Sequence, residues 1–133
     1  MSSDSLERIL VVDDDSSVRD LARLALAEVG GFPVRVCASG AAAIAACGEF
    51  QPDLVLLDEF MPDLDGLDTL QALRELPETA HVPVVFLTAK TGGADVRRYR
   101  SAGAAGLIAK PFSPLALSDD VLKIWNSLTP PRN

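Results

Sequence analysis

The chain has 133 residues, 48% of them hydrophobic and only 5% aromatic, which suits one compact core of Leu, Val, Ile and Ala and leaves no room for a second folded unit. Lys plus Arg is 12 and Asp plus Glu is 19, a net charge of −7 that argues against direct binding to nucleic-acid phosphates. No apolar run approaches the roughly 18 residues of a membrane span, and Met1-Ser2-Ser3-Asp4-Ser5 lacks the features of a signal peptide, so no membrane insertion and a cytoplasmic location are expected.

After an N-terminal tail, residues 1–7, the continuous apolar run Ile9-Leu10-Val11-Val12 predicts a buried strand over 8–13 that ends in Asp13-Asp14-Asp15. A helix follows over 16–29, with Val18, Leu21, Ala22, Ala25 and Val29 on one face and Gly30-Gly31 available for a left-handed cap. Val34, Val36 and Ala38 alternate as a short second strand, and Ser39 can cap an Ala-rich helix reaching about Glu49. The third strand, about 53–58, ends at Asp58. Leu67, Leu70, Leu73 and Leu76 then mark a helix stopped by Pro77.

Val82 to Leu87 predicts a fourth strand leading to Thr88, residues 93–102 a fourth helix, and Gly106 to Ala109 a fifth strand leading to Lys110-Pro111-Phe112. Ser113-Pro114 pairs a capping residue with proline at the first helical position and opens a last helix to about Leu128. Thr129 to Asn133 reads as a C-terminal tail, which makes 8–128 the folded domain. Five βα units with near-continuous apolar strands imply a doubly wound parallel α/β sandwich. Its strands each deliver a polar group to the carboxyl edge, where ligands bind in such sheets.

Three carboxylates at that edge, Asp13, Asp14 and Asp58, repel one another unless a cation sits among them. Oxygen ligands with room for water suit Mg²⁺, and no Cys or His joins the group to favour Zn²⁺. The competing reading of Asp13-Asp14-Asp15 is a solvated helix start, where acidic residues favour the dipole. Cys37 and Cys47 fall on different elements without a CxxC pair and read as reduced structural thiols. His81 reads as a turn residue, and Gly92-Gly93 as a source of mobility in the loop after Thr88.

The segments Leu10 to Asp15, Asp53 to Gly66 around Asp58-Glu59-Phe60-Met61-Pro62, Val84 to Ala89 around Thr88, and Lys110-Pro111-Phe112 together resemble the receiver domain of two-component response regulators. The resemblance covers Ile9 to Leu128. It implies a flavodoxin-like (βα)5 fold with strand order 2-1-3-4-5, the order of the chemotaxis member of that family. It also implies that Asp58 accepts a phosphoryl group from a phosphohistidine on a sensor histidine kinase or histidine phosphotransfer protein. Asp14 would ligate Mg²⁺ directly, Asp13 through water, and the Phe60 backbone carbonyl would add another oxygen. Lys110 would pair with Asp58 and then with the phosphoryl oxygens, and Thr88 would shift to hydrogen-bond them. A cis Lys110-Pro111 bond is implied as well. On this reading the chain is a stand-alone phospho-acceptor switch acting through a downstream effector protein, and not an enzyme with a separate substrate.

Departures from the family pattern carry further expectations. Leu107 stands where the family usually has Tyr or Phe, so the aromatic half of the switch should be absent and the loop 88–93 should carry more of the change. Glu59 is acidic where the family is commonly apolar and is expected to bias which donor docks. Phe60 and Lys90 occupy the two positions that modulate acyl-phosphate hydrolysis in the family, and a bulky ring at 60 should slow it. Leu117, Val121, Ile124 and Leu128 form one apolar stripe on the last helix, and Leu115, Leu122 and Trp125 extend it toward Leu107. Beside Arg97, Arg98 and Arg100 of the fourth helix, this patch is expected to be a docking face or a homodimer face made by the fourth helix, fifth strand and last helix.

Other classes stay open at this stage. A phosphatase of the haloacid-dehalogenase type needs a second Asp two residues after its nucleophile, and that position is Phe60. A receiver-like binding module that works without phosphorylation, and a receiver fragment of a longer DNA-binding regulator, are the remaining alternatives.

Overall fold

The computed structural model describes residues 5–62 and 64–128. The expected tail residues 1–4 and 129–133 lie outside the described residues. Five strands, β1 (Ile9–Val12), β2 (Val34–Cys37), β3 (Leu54–Asp58), β4 (Val84–Thr88) and β5 (Gly106–Ala109), form one parallel sheet in the order β2-β1-β3-β4-β5. Helices α1 (Ser16–Arg23), α2 (Gly40–Phe50), α3 (Gly66–Glu75), α4 (Gly93–Ser101) and α5 (Leu117–Leu128) alternate with them. Among the described residues, no helix is long and apolar enough to cross a membrane.

The period of two along each strand divides the core. Leu10, Val12, Val55, Leu57, Val84 and Phe86 face α2, α3 and α4, whereas Ile9, Val11, Leu54, Leu56, Val85 and Leu87 face α1 and α5. Burial on both faces explains why the central strands are apolar at every position rather than at alternate ones. Leu6 packs on the second cluster, and Asp53 accepts the Glu7 and Arg8 amides, so the segment leading into β1 is tied to the domain.

Several expected boundaries shift, and β4 runs from Val84 to Thr88 rather than from Val82 to Leu87. The first helix becomes π-helical over Leu24–Val29, which changes the phase of the buried stripe: Leu26 turns into the core and Val29 turns out to solvent. The left-handed residue is Gly31, while Gly30 stays right-handed beside Ser118. Ala38 lies past the end of β2 and is exposed; Cys37 takes the buried place. Before α5, Ser113 accepts from the Ala116 and Leu117 amides in a turn, so the helix opens at Leu117 rather than at Pro114.

Candidate functional site

Parallel register places the polar groups. Val12 pairs with Leu57 and Asp58 with Leu87, so one more residue along β1 sets Asp13 beside Asp58, and Thr88 follows at the end of β4. The Lys110 amide donates to the Thr88 carbonyl at 3.0 Å, extending the β4–β5 ladder and bringing the lysine to the same edge. The Lys110-Pro111 bond is cis. Gly66 closes the floor: its N–H donates to the Glu59 carbonyl at 2.7 Å, and a Cβ there would lie 2.5 Å from the Asp58 carbonyl oxygen.

The three neighbouring aspartates have different fates. Asp15 caps α1 by accepting from the Ser17 amide at 2.8 Å. Asp13 is fully buried, with one carboxylate oxygen accepting from the Asp15 amide at 2.9 Å and the other from Lys110 Nζ at 2.7 Å. Asp14 is exposed, and one of its oxygens lies within 4.8 Å of oxygens from Asp13 and Asp58. The helix-start reading therefore fits Asp15 alone.

Lys110 Nζ also donates to Asp58 Oδ1 at 3.0 Å. Burial raises the Asp58 pKa, the Lys110 hydrogen bond opposes that, and the Asp13 charge adds to it. Burial also works against the Lys110 ammonium, but the two carboxylates outweigh it and raise its pKa. Four carboxylates, Asp13, Asp14, Asp15 and Asp58, against two ammonium groups, Lys90 and Lys110, leave a cleft of ≈ 320 Å³, lined also by Phe60, Thr88 and Ala89, with two negative charges in excess. An all-oxygen donor set with excess negative charge fits a hard divalent cation such as Mg²⁺.

Thr88 is buried, and its Oγ1 accepts the Lys90 amide at 3.0 Å. Phe60 is 56% exposed, and Lys90 Nζ sits 4.7 Å from its ring centroid, so these two side chains meet at the mouth of the cleft.

Glu59 differs from expectation. It is only 3% exposed and cannot present a charge to a docking donor. Its Oε1 accepts a hydrogen bond from the Tyr99 hydroxyl, and its Oε2 pairs with Arg98 Nη2 at 2.9 Å. Tyr99 in turn lies 3.4 Å from Thr88 Oγ1. An aromatic side chain therefore does reach Thr88, from α4 rather than from position 107, a contact the sequence reading did not anticipate. Burial and the Glu59 hydrogen bond raise the Tyr99 pKa, against a smaller opposite effect of Thr88. Sequence reasoning passed over Tyr99, although Val96 and Tyr99 form an apolar pair at helical spacing in an otherwise charged helix.

The expected apolar patch is dispersed. Leu107 packs on the cluster shared by α2, α3 and α4, and Trp125 packs on the opposite face of the sheet. Trp125 also lines a cavity with Pro52, His81 and Pro83 at the amino ends of β3 and β4, far along the sheet from Asp58. Leu115 is 77% exposed in the turn before α5, and Leu122 is half-buried. Arg97 and Arg100 are exposed, whereas Arg98 is held by Glu59 and Asp95. Gly92 caps α4 and Gly93 begins it, both without a positive φ. Cys37 and Cys47 are buried free thiols, and burial pushes Cys47 up to about 11, well away from reactive thiolate character.

Comparison with known proteins follows the same lines. The family model described as response regulator receiver domain matches residues 9–122. The chain is 42% identical over 111 residues to the DNA-binding response regulator MtrA of Mycobacterium tuberculosis, covering 84% of this chain and 47% of that protein. It is 37% identical over 111 residues to response regulator PleD of Caulobacter vibrioides, covering 83% of this chain and 24% of that protein. The chain thus spans less than half the length of these two relatives. Among solved structures, the chemotaxis response regulator CheY4 of Vibrio cholerae matches with a TM-score of 0.83 at 27% identity, covering 90% of this chain and 99% of that one.

Proposed function

Because the chain belongs to the response regulator receiver domain family of two-component signalling, we propose that Asp58 is its phosphoryl acceptor and that the domain is a phosphorylation-controlled switch of protein interactions. The observation that carries this reading is the Lys110 ammonium bridging the buried Asp13 and Asp58 carboxylates at the strand ends, with Thr88 lining the same cleft.

In the step proposed, an Asp58 oxygen attacks the phosphorus of a phosphohistidine on a kinase or phosphotransfer partner. The O–P bond of an acyl phosphate forms, the N–P bond breaks, and the imidazole nitrogen recovers its electron pair. Asp14, Asp13, Asp58 and the Phe60 carbonyl would hold Mg²⁺, which when bound neutralises charge on the phosphoryl oxygens. Lys110 moves its contact from the carboxylate to a phosphoryl oxygen, supplying fixed positive charge where negative charge gathers. Thr88 donates its hydroxyl proton to another such oxygen. Phe60 and Lys90, stacked at the mouth, hinder the water that would hydrolyse the product. The chain assists its own modification and turns over no separate substrate. A net charge of −7 disfavours direct binding of this domain to nucleic-acid phosphates and supports a reading in which it acts through an effector.

A second arrangement is favoured by one observation: MtrA, of which the chain covers 47%, is named a DNA-binding response regulator. On that reading the same switch controls a separate output domain within a longer protein, and immunoblotting cells for the mass of the native product separates the two. Incubation with acetyl phosphate and Mg²⁺, followed by intact mass, tests the shared core. One added phosphoryl that requires Mg²⁺ and is lost in Asp58→Asn is expected; no gain from acetyl phosphate or from a phosphorylated kinase leaves a phosphorylation-independent binding module.

A further inference from the structure

Glu59 is a buried carboxylate that the phosphoryl chemistry above does not use. It directly follows Asp58, and two consecutive residues of α4 grip its two oxygens: the Tyr99 hydroxyl at Oε1 and the Arg98 guanidinium at Oε2. Elsewhere α4 is a poor anchor for itself. Its exposed face is charged, Gly92 gives it no side-chain cap, and Tyr99 is its buried residue.

Proton accounting fixes the direction of the next contact. A carboxylate paired with Arg98 only accepts, so the single phenolic proton of Tyr99 is committed to Glu59. At the 3.4 Å contact between Tyr99 and Thr88, the Thr88 hydroxyl must therefore be the donor. Its oxygen meanwhile accepts from the Lys90 amide. The one proton that Thr88 can offer points inward, away from the cleft that holds Asp58.

We propose that the Tyr99 oxygen is a competing acceptor for the Thr88 proton, so that the Glu59–Tyr99–Arg98 cluster ties the state of Asp58 to the seating of α4. This rests on the reading of Asp58 as phosphoryl acceptor. While Asp58 is free, Thr88 donates to Tyr99 and helps hold α4 against the end of β3. With a phosphoryl group on Asp58, Thr88 donates to it, the phenol loses its donor, and α4 keeps its Glu59 contacts and the packing of the Tyr99 ring on Phe86 but loses the tie to β4. Tyr99 is thus a positioning residue that acts through Thr88. A contact of 3.4 Å is at the long limit for a hydrogen bond, so the exchange is shallow and easily reversed.

The test is titration of the full chain, with Mg²⁺, by beryllofluoride, a tetrahedral mimic of a carboxyl-bound phosphoryl group. Tyr99→Phe removes the competitor and should tighten beryllofluoride binding about two- to threefold, the share of one weak hydrogen bond. In a Thr88→Ala background the same substitution should have no effect, a dependence that a merely structural role for the ring would not produce. Hydrogen exchange over residues 93–101 should rise on beryllofluoride binding in the native protein and start high in Tyr99→Phe. If Tyr99→Phe strands Glu59 and fails to fold, Glu59→Gln with Tyr99→Phe removes the unpaired charge and gives the same comparison. Unchanged or weaker binding in Tyr99→Phe, or equal tightening in both backgrounds, overturns the proposal while leaving Asp58 as acceptor. Failure of the native protein to bind beryllofluoride overturns both.

Discussion

Replacing Asp58 by Asn should make the metal-free protein more stable. Oxygens of Asp13, Asp14 and Asp58 lie within 4.8 Å of one another, and Lys110 is 3.0 Å from Asp58. At an effective dielectric of about 20, each like-charge pair at that separation costs about 3.5 kcal/mol, and Asp58 takes part in two of them. The contact with Lys110 offsets about 5.5 kcal/mol on the same scale. About 1.5 kcal/mol of net repulsion is the ceiling of this sum, because the exposed Asp14 is screened by solvent, and burial of the charge, the largest cause of the raised Asp58 pKa, supplies the rest of the destabilisation. Asn keeps the shape and an acceptor for Lys110 without the charge. Thermal denaturation in EDTA at neutral pH should therefore place Asp58→Asn about 5 °C above the native protein. Mg²⁺ should raise the native melting temperature much more than that of the variant. The pH dependence has a definite sign. A carboxyl whose pKa is raised in the fold contributes stability that is full below its unfolded value and is lost as pH rises through its folded value. The gap between variant and native should thus be smallest in acid and widen toward neutrality. A variant that is less stable than native in EDTA at neutral pH, or a gap that closes as pH rises, would refute the reasoning.

Lys110→Met strips the buried Asp13 and Asp58 of their counter-charge and should cost about 3 kcal/mol in EDTA, with Mg²⁺ recovering part of it in urea titrations. Gly66→Ala puts a Cβ 2.5 Å from the Asp58 carbonyl oxygen and 2.7 Å from Glu59 Cα, both backbone atoms. It should cost about 3 kcal/mol in the same assay, while Gly48→Ala, whose Cβ meets nothing closer than 3.9 Å, should not destabilise. Phe60→Asn or Lys90→Ala breaks the stack at the cleft mouth, worth about 0.5–1 kcal/mol, and should speed acyl-phosphate loss about two- to fivefold by intact mass over time. Restoring an aromatic at β5 by Leu107→Tyr should overpack the cluster holding Phe86 and Tyr99, whose ring centroids are 4.8 Å apart, and destabilise by about 2 kcal/mol in thermal denaturation.

The parts of the fold readable from sequence are those governed by one short-range rule. Ile9 to Val12 and Leu54 to Leu57 are apolar at every position because both faces of their strands are covered, and a parallel sheet then sends Asp13 and Asp58 to one edge without further information. Ser39 caps α2 through a local side-chain to backbone bond, which depends only on residues three positions apart. The phase slip at Leu24–Val29 was not readable, because a π-turn replaces an α-turn for reasons of packing: Gly30 lies so close to Ser118 of α5 that a Cβ would meet its hydroxyl at 2.1 Å.

Glu59 and Tyr99 show why the remainder of the site escaped. Each looks anomalous alone, a carboxylate after the acceptor and a phenol in a basic helix, yet each satisfies the other across 40 residues of chain. A buried carboxylate is tolerable only with a partner in place, so Glu59 could be read as a surface charge until α4 supplied Arg98 and Tyr99. Leu107 belongs to the same reckoning: the smaller side chain on β5 leaves the cluster around Phe86 open to a ring from α4. Glu59, Tyr99 and Leu107 therefore act together in packing, and the result is an aromatic hydroxyl from α4 placed 3.4 Å from the Thr88 hydroxyl.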